Sequence, residues 1–303
     1  MNYLKDYREG EKFVGTYLCK QKQILKTKAG KTYYSLTLQD KTGTADGKIW
    51  ELNNGIANFE PMDYIHCEGM VTSFQGNLQM NISRVRISDE GEYDPTDYVP
   101  CTNKDVGEMF SRILKYVASV QNKYLRKILE MYFVENKEFV DAFKKHSAAK
   151  SVHHGFMGGL LEHTLSVTDM CQYFAEHYPM IHRDLLITAA LFHDMGKIQE
   201  ISDFPMNDYT DDGQLLGHIY IGARCMENAA AQIPNFPPKL KNELVHCILA
   251  HHGKMEFGSP KVPAIMEAMA LHMADNADAK LQTLTEVFTQ AGDNMGWLGF
   301  NRM

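Results

Sequence analysis

The hydrophobic pattern of this 303-residue chain changes period once, and that change limits the folds open to it. From Phe13 to about Ser88 apolar and polar residues alternate, in FVGTYLCKQKQIL, KTYYSLTLQD, TADGKIWEL, DYIHCEGMVTSF and NLQMNISRVRI. Successive side chains of an extended strand point to opposite faces, so this alternation marks strands with one buried face. Turn residues separate the runs at Ala29-Gly30, Thr42-Gly43, Asn53-Asn54-Gly55 and Gln75-Gly76-Asn77. Between Asp89 and Asp105 the text becomes DEGEYDPTDYVPCTNKD, acidic, broken by Pro95 and Pro100, and without any period. Beyond it apolar residues recur every three or four positions, in VGEMFSRILKYVASV, YLRKILEMYFVENKEFVDAFKKH, LLEHTLSVTDMCQYFAEHY and most later segments. That is the helical period. The spacing predicts a multidomain chain: an all-β five-stranded barrel over residues 1–90, a linker over 91–104 and an all-α bundle over 105–303. Asp184, Pro238 and Pro263 mark plausible helix starts within the bundle.

Five strands in this length suit the Greek-key barrels of the oligonucleotide-binding (OB) type, and Asn53 to Phe59 stands where such barrels often carry a short helix. Lys20, Lys22, Lys26, Lys28 and Lys31 then fall in the first hairpin, near the loop through which OB barrels hold a strand. Tyr33, Tyr34, Trp50 and Phe74 are candidate stacking platforms; most barrel aromatics are core, so one or two of the four are expected to face a ligand. The lysines read equally well as a solvated loop. A formal net charge of -7 argues against binding through a globally basic surface but leaves room for a local patch.

No apolar run reaches the ~18 residues a membrane span requires. The polar start MNYLKDYREGEK lacks a signal-peptide core, and six cysteines without a CxxC pair suit reduced thiols, so a cytoplasmic protein is expected.

The helical half concentrates metal-ligand side chains at its apolar helices: His163 in GGLLEHT, His193 and Asp194 in LFHDMGK, His218 in LLGHIYIG, His251 and His252 in LAHHG, Asp275 in LHMADNAD. A lone histidine on a helix is usually core or surface. Several such groups, each costing about 1–3 kcal/mol if buried unpaired, are explained together by a shared metal centre. Lys197, one turn after Asp194, is placed to reach a substrate phosphate or developing charge, against the alternative of a surface lysine near a helix end. His252 should point about 100° away from His251 on a helix, which suggests contact with phosphate or support from behind the ligands rather than the ion itself. His153 and His154 read as substrate-pocket residues, and Arg224 as a phosphate contact or a helix-surface arginine.

The order H…HD…H…H…D resembles the HD-domain superfamily of metal-dependent phosphohydrolases. More narrowly, HHGFMGGLLEHT, LFHDMGK, AHHGKMEFGSPKVP and EAMALHMADNADAK behind an OB-like barrel are similar to the YhaM family of 3′-to-5′ exoribonucleases. The resemblance implies two divalent ions, one held by His163, His193, Asp194 and Asp275 and the other by Asp194, His218 and His251. Mn²⁺ is the first expectation, with Co²⁺, Fe²⁺ or Zn²⁺ also suited to imidazole and carboxylate ligands. Ions about 3.5–4 Å apart can activate a bridging water for in-line phosphodiester hydrolysis. The resemblance also implies single-stranded RNA or DNA as partner and a homo-oligomer, although no heptad or interface patch spells out the latter. Two other readings remain: a hydrolase of a small nucleotide, from which GKMEFGSPKVP departs at the GYP pattern of the cyclic-dinucleotide branch, and a non-catalytic nucleic-acid-binding factor.

Overall fold

A computed structural model describes residues 2–74, 76–150, 154–291 and 296–297. The chain forms two compact units, Met1–Pro100 and Cys101–Met303.

In the first unit β1 (Lys12–Lys26), β2 (Thr32–Asp40), β3 (Gly43–Ile49), β4 (Tyr64–Phe74) and β5 (Asn77–Ile87) close into a barrel in the order β1-β2-β3-β5-β4. Every pairing is antiparallel except β3 with β5, and β4 returns to pair with β1, which is the OB-type Greek key. Phe13, Tyr17, Leu36, Leu38, Ile49, Ile65 and Val71 fill the interior. With Leu36 and Leu38 inward on β2, Tyr34 shares their face and Tyr33 takes the opposite one.

Two expectations for this unit give way. Asn53 to Phe59 is a turn with an isolated bridge from Ile56 to Val85, not a helix. The Asn53 side chain accepts from the Gly55 N–H at 2.8 Å, a local bond that competes with helix formation. The stretch after β5 is not free chain either. Tyr93 stacks on Tyr64 at 4.0 Å, Tyr98 meets the same ring edge-on at 5.3 Å, and Lys41 pairs with Asp97 at 2.7 Å, so residues through Pro100 pack on the barrel.

The second unit contains α1 (Val106–Ser119), α2 (Lys123–Phe133), α3 (Lys137–Lys145), α4 (Gly159–His177), α5 (Arg183–Phe192), α6 (Lys197–Glu200), α7 (Asp211–Ala231), α8 (Pro238–Ala250) and α9 (Met266–Ala291) around one hydrophobic core. Side chains of Asp105, Asn122, Asn136 and Thr210 accept from backbone N–H groups at the starts of α1, α2, α3 and α7. The cap of α5 is His182, which accepts from Leu185 N–H at 3.1 Å, whereas Asp184 accepts from Gln121 and Asn122 N–H. Helix α9 begins at Met266, three residues past the proline expected to open it. Among the described residues no helix is long and apolar enough to cross a membrane.

Candidate metal centre

Five elements bring the candidate ligand side chains to one place. His163 lies in α4, His193 caps the C-terminal end of α5 with Asp194 next to it, His218 lies in α7, His251 caps α8, and Asp275 lies in α9. Two glycines make the approach possible. A Cβ on Gly196 would stand 2.1 Å from the carbonyl oxygen of His218 and 2.9 Å from Gly222 N, so the turn after Asp194 rests directly on the α7 backbone. Gly217, at φ 72° and ψ 153°, breaks α7 just before His218 and starts its second half in a new direction.

Asp194 is 2% exposed, and its two oxygens face different partners. Oδ2 lies 3.3 Å from His163 Nε2 and 3.5 Å from His193 Nε2, while Asp275 Oδ1 is 3.2 Å from His163 Nε2. Oδ1 lies 3.5 Å from His218 Nε2 and 3.6 Å from His251 Nε2. Candidate ligand atoms of His163, His193 and Asp275 lie within 4.8 Å of one another, as do those of Asp194, His218, His251 and His252.

The hydrogen bonds set the tautomers. Nδ1 of His163 donates to Asp278 at 2.7 Å, that of His193 to Ala190 O at 2.8 Å, that of His218 to Glu200 at 2.9 Å and that of His251 to Ile248 O at 2.7 Å. Each ring therefore turns an Nε2 lone pair inward. Asp194 Oδ1, His218 Nε2 and His251 Nε2 are buried and have no hydrogen-bond partner. His163 Nε2 and His193 Nε2 face each other at 3.1 Å. Lone pairs this close, beside two carboxylates, need positive charge among them, and N and O donors in this arrangement fit divalent cations.

The proton equilibria express the same demand. For His163 burial is the largest influence and opposes the proton, but Asp194, Asp275 and Asp278 outweigh it and raise the pKa well above the ordinary value. Burial is the largest influence on His193 and lowers its pKa to about 4. Burial also works against the Asp194 carboxylate, yet Lys197 and the surrounding histidines hold its pKa well below the usual range.

The remaining expected residues fall into three groups. Lys197 starts α6, and its ammonium lies 2.6 Å from Asp194 Oδ2; the side chain lines the cavity, but its charge is directed at Asp194, not outward to a phosphate. His252 joins the candidate ligand group of Asp194, His218 and His251 although the backbone at His251 is still helical, at φ -65° and ψ -30°; the two rings are 4.3 Å apart. Burial is the first cause that lowers its pKa to about 3. His154 is no pocket residue: it is 1% exposed, sits at φ 60° and binds Asp278 at 2.9 Å. Arg224 lies over the Tyr220 ring, outside the residues lining the cavity. His153 lies outside the described residues.

A cavity of about 440 Å³ opens over these groups, with Tyr209, Phe257, His272 and Asn276 among its other walls. The sequence reading missed Asp278, Glu200, His272 and Asn276. Helical spacing carried a signal for three of them, since residues 272, 275, 276 and 278 lie within two turns of α9.

On the barrel, the candidate residues separate by face. Tyr33 stacks on Trp50 at 4.6 Å, and Trp50 Nε1 donates to Asn81 at 3.0 Å. Tyr34 meets Phe59 edge-on, and the Lys22 ammonium covers both rings while donating to Phe59 O. Lys22 is thus occupied within the barrel, and Lys31 pairs with Glu51 at 3.2 Å. Lys20, Lys26 and Lys28 are exposed, as is Phe74 near the β4–β5 turn.

A helical bundle that gathers an adjacent His-Asp pair with histidines and an aspartate from neighbouring helices defines an HD domain, and the HD domain family model matches residues 160–280. Over nearly the whole chain the similarity is narrower. The 3′-5′ exoribonuclease YhaM of Bacillus subtilis (strain 168) is 32% identical over 262 residues, covering 84% of this chain and 81% of that one. Its counterparts in Geobacillus sp. (strain WCH70) and Listeria innocua serovar 6a are also 32% identical, covering 84% and 94% of this chain and 78% and 90% of theirs. The chain belongs to the YhaM family of 3′-5′ exoribonucleases.

Proposed function

We propose that this chain is a metal-dependent 3′-to-5′ exonuclease that removes nucleoside 5′-monophosphates from single-stranded RNA, with DNA as a possible second substrate. The observation that carries the reading is the Asp194 carboxylate between two groups of inward-facing Nε2 atoms. His163, His193, Asp194 and Asp275 would hold one divalent ion, and Asp194, His218 and His251 the other, with His252 beside it. Such ions, Mn²⁺ in first place, supply Lewis acidity to the phosphoryl oxygens and a water acidic enough to attack near neutral pH.

The chain's own residues supply placement. Asp194 bridges the two groups, and Lys197 neutralises the oxygen it shares with His163 and His193. The walls of the cavity above include aromatic Tyr209 and Phe257, suited to stacking on a terminal base. On the barrel, outward Tyr33 and Trp50 with exposed Lys20, Lys26 and Lys28 suit bases and backbone of a single strand. The free state of all six cysteines is in keeping with work in the cytoplasm.

A 5′-labelled oligoribonucleotide incubated with Mn²⁺ should yield a ladder shortened one nucleotide at a time, and a 3′-labelled one should release labelled mononucleotide at once. Absence of both products rules the reading out.

A further inference from the structure

We infer that Asp278 and Glu200 are positioning residues, each serving one of the two ion positions. The inference rests on the site reading above and goes beyond it by assigning two carboxylates outside the ligand set.

The argument starts from where each histidine gets the acceptor that fixes its ring. His193 and His251 stand at helix C-terminal ends, where the last carbonyls have no intrahelical partner. Each donates its Nδ1 proton to the carbonyl three residues back, Ala190 O at 2.8 Å and Ile248 O at 2.7 Å. The helix end alone orients these two rings.

His163 and His218 have no such acceptor. His163 lies inside the first turns of α4, where the carbonyls enter the helix ladder, and His218 follows the break at Gly217, so no regular turn precedes it. A side chain must stand in. Asp278 Oδ2 accepts from His163 Nδ1 at 2.7 Å, and Glu200 Oε1 accepts from His218 Nδ1 at 2.9 Å. Both carboxylates are 8% exposed, and each takes at least one further hydrogen bond that holds its orientation. Asp278 also binds His154 Nε2 at 2.9 Å and the Ser166 hydroxyl, and Glu200 also accepts the His218 backbone N–H at 2.9 Å. His154, 1% exposed, is thereby tied to the same carboxylate as His163.

A carboxylate behind an imidazole fixes its tautomer and makes its other nitrogen a stronger donor to a metal. His163 faces His193 and Asp275, whereas His218 faces His251 and His252. Asp278 therefore acts on the first ion position and Glu200 on the second.

The test compares full-length wild type with Asp278→Asn and Glu200→Gln by Mn²⁺ titration, read by calorimetry and by the electron paramagnetic resonance of free Mn²⁺. Each variant should lose about 10- to 100-fold in affinity at one site and keep the other. At limiting Mn²⁺ the variants should show a lowered kcat that excess Mn²⁺ restores, with KM for RNA unchanged; a purely structural defect would not be rescued this way. Affinities within twofold of wild type in folded variants overturn the inference, as does one variant weakening both sites equally. Should Asp278→Asn fail to fold by circular dichroism, Asp278→Glu replaces it and must show the same single-site loss. A wild type that binds no Mn²⁺ refutes the underlying site reading instead, which separates the two failures.

Discussion

Replacing Trp50 by alanine tests whether the outer barrel face holds the strand. The ring is 40% exposed, with one face against Tyr33 at 4.6 Å and its Nε1 on Asn81 at 3.0 Å. Within the barrel the change removes one aromatic contact worth about 0.5–1.5 kcal/mol and one hydrogen bond of similar size, and it leaves the interior cluster intact. The fold should survive. On the strand it removes a stacking platform, worth about 1–3 kcal/mol per base. Since 1.4 kcal/mol is tenfold, KM for a long oligoribonucleotide should rise by about 5- to 150-fold. The chemistry belongs to the helical unit, so kcat at saturating RNA should stay within about twofold. Steady-state kinetics on a long oligomer and on a dinucleotide too short to span the barrel separate the effects: the long substrate should suffer and the dinucleotide should not. An unchanged KM for the long substrate would refute the assignment of this face, and an equal rise for both would point to a folding defect.

Three further outcomes follow from the helical unit. Gly196→Ala forces a Cβ against the His218 carbonyl at 2.1 Å, so it should cost about 1–3 kcal/mol in urea unfolding and weaken Mn²⁺ binding; normal metal affinity would contradict the close approach. Lys197→Met strips the ammonium from a buried carboxylate and should destabilise the metal-free protein by about 3–5 kcal/mol, but the Mn²⁺-loaded protein by less; equal losses in both forms would argue against ions sharing its neutralising task. Mn²⁺ at a hundredfold over Kd should stabilise the helical unit by about 2.7 kcal/mol per site, read as a rise in Tm that a chelator reverses; a Tm indifferent to Mn²⁺ would count against a preformed site.

The features legible in the sequence were those that repeat or cluster. The change of period separated strands from helices because each buries one face at its own spacing. The candidate ligand set stands out because histidines and aspartates recur at the ends of apolar helices, where a polar group needs a reason. What escaped depends on contacts between distant residues. Asp278 and Glu200 look like any surface acid until α9 and α6 bring them behind His163 and His218. Tyr93 and Tyr98 lay in an acidic, proline-broken stretch whose composition says nothing of the Tyr64 ring awaiting them. His252 comes within reach of the Asp194 group through side-chain placement that helical spacing does not reveal, and the burial of His154 at a positive φ leaves no trace in residue type.

The central claim is that one carboxylate serves two ions, and metal content measures it most directly. Purified wild type loaded with Mn²⁺ and freed of excess should retain two ions per chain, whereas Asp194→Ala, folded by circular dichroism, should lose both together with its nuclease ladder, because Oδ1 and Oδ2 face separate ligand groups. An Asp194→Ala protein that keeps two tightly bound ions, or a wild type that binds only one, would contradict the account.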